Sequence, residues 1–176
     1  MAILIGFAPW IIFAILAGHG RMLEAASIAA IASLASMIGD IRKKRSIKVL
    51  QAGTLVFFSA LTLAAFFADR AWLGRWTQLM SSSALAAITL VSIIMRRPFT
   101  IQYARESVPK EYWDTPEFFH ANLVITWVWF AAFAVNTVGS AIRVVAPHIW
   151  SGTSWVISIC TFVAAMKFTK WYSGKR

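Results

Sequence analysis

The stretch "VLQAGTLVFFSALTLAAFFA", Val49–Ala68, runs for 20 residues without Lys, Arg, Asp or Glu. At 1.5 Å per residue a helix of that length spans about 30 Å, the thickness of a bilayer's hydrocarbon core. Its polar residues do not alternate with apolar ones, so it does not read as a strand of a membrane barrel, which shows runs of about 10 alternating residues. A membrane-spanning helix is the reading that leaves no backbone group unbonded in lipid.

Working outward, the same pattern recurs at about 2–18, 22–39, 77–95, 121–141 and 149–166. The second of these needs Glu24 at the interface, and Arg143 divides the last two. The first is taken as a span and not as a signal peptide, because it has no basic start, carries Pro9 mid-run and ends in "ILAGHG", a poor cleavage site. Composition agrees: 59% of the 176 residues are hydrophobic and only 14% charged, against about 25% charged in soluble domains. The expected fold is all-α, a polytopic transmembrane helical bundle of six spans arranged as three hairpins within one integral membrane domain, 1–176. Cys160, the single cysteine, falls in the last span, where packing is its expected role.

Basic residues then orient the chain. Lys and Arg accumulate in the loops that stay in the cytoplasm. Thirteen of the 17 lie in 42–48, 96–110 and 167–176, and the other four are Arg21, Arg70, Arg75 and Arg143. Both termini and the loop 96–120 are therefore expected in the cytoplasm; a five-span version without the first segment moves only the N-terminus. This distribution also removes nucleic acid from the partners that a net charge of +10 suggests. Membrane lipids remain, with "DIRKKRSIK" attracted to anionic headgroups or simply setting orientation.

Most aromatics near the span ends, Trp10, Trp72, Trp76, Trp113, Trp150, Trp171 and Tyr172, are expected to anchor at headgroup level. Trp127, Trp129 and Trp155 lie deeper and need helix partners or a cavity. Polar residues within spans fall on helical faces: Gln78, Ser82, Thr89, Ser92 and Arg96 on the fourth, and Asn122, Thr126, Asn136, Ser140 and Arg143 on the fifth. Antiparallel pairing places Ser92 near Thr126 and Gln78 near Ser140. Such stripes either hydrogen-bond the helices together or line a polar cavity.

Span cores hold no Asp, Glu or Lys, which weighs against proton-coupled transport and pumping. His19, His120 and His148 have no ligand spacing, so no metal is expected, and no nucleophile or phosphate-loop motif calls for a catalytic residue or a cofactor. Between the fourth and fifth spans, "RRPFTIQYARES" reads as a short amphipathic interfacial helix with Pro98 at its first position and Phe99 beside Tyr103. "DTPEFF" opens the fifth span with Thr115 as N-cap and Pro116 in the first turn. A faint echo at a shift of 73 residues sets Arg70 on Arg143 and Arg97 on Lys170.

In order along the chain, "FAPWIIFAI", "RKKR", "LTLAAFF", "MRRPF", "NLVITWVWF" and "APHIW" resemble the bacterial intracellular septation protein A family of inner-membrane proteins. "TIQYARESVPKEYWDTPEF" departs from that pattern, as in a divergent branch. The resemblance implies a multi-pass protein of the bacterial inner membrane that works in cell-envelope biogenesis, membrane homeostasis and septation, through envelope-synthesis or division proteins or lipids, without a reaction of its own. The alternative is a binding protein, transporter or enzyme for a lipid or small amphiphile. Its site would comprise Arg96, Arg97, Tyr103, Arg105 and Glu106 at the cytoplasmic mouth, with Asn122 and Asn136 inside.

Overall fold

The computed structural model describes residues 2–146 and 154–174. Among these lie seven α-helices and no strand: α1 Ala2–Ala17, α2 Met22–Arg42, α3 Val49–Phe67, α4 Arg70–Ile94, α5 Phe99–Ala104, α6 Pro116–Val145 and α7 Ser154–Ser173. A single 3-10 turn, Lys110–Tyr112, precedes α6. Four helices, α2, α3, α4 and α6, are long and apolar enough to cross a membrane, whereas α1 is apolar but shorter. The "APHIW" turn from Pro147 on, the expected start of the sixth span, the side chain of Trp155, and Lys175 with Arg176 lie outside the described residues.

Charge-free runs locate the helices, but capping chemistry sets their ends. α4 begins at Arg70, seven positions before the expected 77, because Asp69 accepts hydrogen bonds from the backbone N–H groups of Ala71 and Trp72 at 2.8 and 3.0 Å. α6 opens as expected: Thr115 Oγ1 accepts from Phe118 N at 3.3 Å, and Pro116 occupies the first turn. α2 and α4 close alike. Lys44 N and Arg45 N bond back to the carbonyls of Ile41 and Asp40, and Arg96 N and Arg97 N to those of Ile93 and Ser92. This closure needs a left-handed residue just past the helix, usually Gly; here Lys44 (φ 55°) and Arg96 (φ 52°) occupy it.

The chain divides into two compact units, Met1–Thr77 and Gln78–Arg176. In the first, α2 packs against α1 and α3. Ala25, Ala26 and Ala29 are fully buried on α2, so their small side chains permit close approach of the neighbouring backbones. Opposite them, Trp10 stacks on Phe57 at 5.1 Å and meets Phe58 at 4.7 Å, and Phe13 meets Phe58 at 5.0 Å. Trp10 is therefore a core residue and not a headgroup anchor: it is buried, and its indole N–H donates to Thr54 Oγ1 at 2.9 Å, which satisfies the donor away from water. Trp72 and Trp171 are exposed.

In the second unit α6 and α7 run antiparallel. Trp129 Nε1 donates to Thr169 Oγ1 at 3.1 Å and Asn136 Nδ2 to Thr161 Oγ1 at 2.7 Å, so positions advance along α7 as they recede along α6. Trp129 is completely buried, edge-on to Phe162 at 5.2 Å and to Phe99 at 6.4 Å. Trp127, expected deep, is exposed and touches Phe130 on its own helix. Cys160 is exposed on α7.

Candidate functional site

The segment between α4 and α6 is built around Pro98, which is fully buried and caps α5. α5 is only six residues long, and Phe99, Thr100, Ile101 and Tyr103 are all buried. The short helix expected here is present, but four of its six residues are buried, so it lacks the open face expected of an amphipathic one. Its polar groups explain the burial. Ser92 Oγ accepts from Phe99 N at 3.2 Å and donates to the Thr89 carbonyl at 2.7 Å. One residue on, Thr100 Oγ1 donates to the Asn122 carbonyl at 2.9 Å and lies 2.8 Å from Thr126 Oγ1, which also bonds that carbonyl. Ser92 and Thr126, expected side by side, are linked indirectly, through the adjacent α5 residues Phe99 and Thr100.

The seven residues expected to form a site are not brought together. Arg96 and Arg97 are exposed at the end of α4. Tyr103 is buried edge-on to Phe99. Arg105 turns into the loop that follows, 5.2 Å over the Trp113 ring and 4.0 Å from Asp114, itself exposed; Glu106 is exposed as well. Trp113 holds its own place by donating to the Val108 carbonyl at 2.9 Å. Asn122 is buried and bonds the Phe118 carbonyl. Asn136, 14 positions farther along α6, is about 21 Å away by helical rise and bonds the Ala132 carbonyl and Thr161. An opening at the α5 end and Asn136 therefore cannot share one small ligand.

At the opposite end of the stripes Gln78 and Ser140 meet, as the antiparallel register requires, around a cavity they share with Asn136, Gly139 and Ser158. Its volume, about 10 Å³, is that of roughly one water and far below the ~300 Å³ of a small-molecule site. Elsewhere the stripe hydroxyls bond their own helix, as Ser82 does to the Gln78 carbonyl. Thr89 is an exception: its hydroxyl is enclosed without a hydrogen-bond partner.

A stronger polar constellation lies in the first unit, at the α2–α3 turn. Asp40 Oδ2 accepts from Lys48 Nζ at 2.6 Å and from Gln51 Nε2 at 2.7 Å; Gln51 Nε2 also reaches Ser36 Oγ at 3.0 Å. Gln51 Oε1 accepts from Lys48 N, capping α3, while Ser33 Oγ donates to the Gln51 carbonyl. Asp40, Lys48 and Gln51 are all buried. Reading spans as charge-free runs ended α2 at Gly39 and left Asp40 in the loop. The available signal is its being the one acid beside a run of four basic residues, eight positions before Lys48 and eleven before Gln51.

No protein-family model, curated protein or solved structure matches this chain. What the geometry offers chemically is positioning. Arg105 and Asp114 sit on the surface, Asn136 ties α6 to α7, the Asn122 side chain bonds its own helix, and Asp40 is matched by a cation and an amide.

Proposed function

We propose that the chain is a noncatalytic multi-pass protein of the bacterial inner membrane that acts in envelope biogenesis, membrane homeostasis and septation through protein partners or lipids. It crosses six times with both termini in the cytoplasm, an orientation supported by the uneven distribution of its Lys and Arg. The observation that favours a scaffold over a ligand-processing site is the Thr100 bridge. The Thr126 hydroxyl, the Asn122 backbone carbonyl and the Asn122 amide nitrogen, which face the α5 end, are already bonded to α5 or to their own helix. The septation role itself rests on the sequence resemblance.

Complementation tests the reading. In a strain deleted for this gene, scored for envelope integrity and osmotic growth with membrane levels measured, Arg105→Ala and Glu106→Ala are expected to restore growth. Asn136→Leu is expected to fail through loss of protein, because it removes the hydrogen bond that Asn136 of α6 donates to Thr161 of α7. Failure of Arg105→Ala and Glu106→Ala at normal abundance would instead favour a ligand site at the loop.

A further inference from the structure

The α2–α3 turn joins two helices each long enough to cross a bilayer, which sets it at headgroup depth. Five of its seven residues from Arg42 to Lys48 are basic, and they divide by burial. Lys48 turns inward to Asp40, with their side chains only 6% and 11% exposed, whereas Arg42, Lys43, Lys44 and Arg45 are exposed. Asp40 is the only acid near them in sequence, and it faces inward; Arg45 approaches its outer edge at 4.0 Å. The outer surface of the turn is left almost purely cationic. The left-handed conformation at Lys44, costly for a residue with a Cβ, keeps a charge where glycine would serve the backbone better. Ile41 and Ile47 flank the cations and are 52% and 47% exposed. Cations bracketed by apolar side chains match a molecule with a phosphate beside hydrocarbon, and suit a free anion or a nucleic acid poorly.

We propose that the α2–α3 turn binds the headgroups of anionic phospholipids. Arg42, Lys43 and Lys44 engage the phosphate, Ile41 and Ile47 lie against the adjoining acyl chains, and Lys48 is a positioning residue that keeps the Asp40 carboxylate out of the site. This surface works alike whatever role the protein has in the envelope.

The full chain, reconstituted in phosphatidylcholine vesicles carrying a trace of spin-labelled phosphatidylglycerol or spin-labelled phosphatidylcholine, reports its own lipid shell by electron paramagnetic resonance. The wild type is expected to select phosphatidylglycerol, with a ceiling of about fivefold per basic residue at low salt. Arg42→Gln/Lys43→Gln/Lys44→Gly should lose most of that selection while remaining folded, since glycine suits the left-handed position. Lys167→Gln/Lys170→Gln, at the end of α7, should keep it. Lys48→Met should weaken selection by freeing the Asp40 carboxylate to turn toward the cations of the site, and Asp40→Leu/Lys48→Met should restore it. Without any variant, raising salt to 1 M, where screening acts within about 3 Å, should abolish selection. Equal selection by the triple variant, equal loss in the α7 control, or selection persisting at 1 M salt would each overturn the proposal.

Discussion

Lys48 and Asp40 are two charges that folding removes from water, and the cost of doing so differs sharply with how the pair is altered. Removing one partner from a buried pair leaves an uncompensated charge, typically a loss of about 3–5 kcal/mol, whereas an apolar pair of similar volume is often neutral or better. Lys48→Met is therefore expected to lower the thermal midpoint of the detergent-solubilised protein markedly, and Asp40→Leu/Lys48→Met to recover most of it. Equal damage from both would mean that Gln51, which also bonds Asp40, carries the turn. The pair's contribution on this account is specificity of the hairpin: it fixes which residue of α2 meets the first turn of α3.

Among the elements, α5 has the least propensity of its own and the most context. Six residues do not make a stable helix alone; α5 persists because Phe99 lies against Trp129 and Thr100 against Asn122 and Thr126. Thr100→Val keeps the shape and removes both bonds, so a loss of about 1 kcal/mol is expected, seen as a lower melting midpoint and faster proteolysis in 105–115. An unchanged midpoint would show that apolar packing alone holds the element. The start of α6 was legible in "DTPEFF" because an N-cap and a first-turn proline act within four residues. The start of α4 was not, since absence of charge marks where lipid begins and not where Asp69 caps a helix. The burial of α5 was equally hidden, because Thr100 is polar in the sequence and finds its acceptors more than 20 positions away. The site suffered for the same reason: Arg105 and Asn136 follow local patterns, but only tertiary contact shows them apart, and only tertiary contact turns Asp40 and Lys48 inward.

For the whole molecule, lack of charge is what points to a membrane protein, and among the described residues four helices are long and apolar enough to cross one. The number of crossings and their direction turn on α1, which has 16 residues, about 24 Å of helix, and on the last span. Reporters fused at 46, 107 and 174 are expected to read as cytoplasmic, and one at 69 as outside. An N-terminal reporter distinguishes six spans, with the N-terminus inside, from five, with it outside. A cytoplasmic reading at 69 would break the alternation on which the orientation rests.

Cys160 gives the molecule one covalent handle, placed on an exposed face of the last helix. With no second thiol in the chain, mild oxidation has nothing to join within a single copy. A disulfide-linked species of twice the chain's mass in native membranes, containing this chain alone, would thus record two copies meeting along α7. A thiol that, in membranes opened to both sides, reacts with apolar maleimides but not with charged ones, and never with a neighbour, would record lipid along that face.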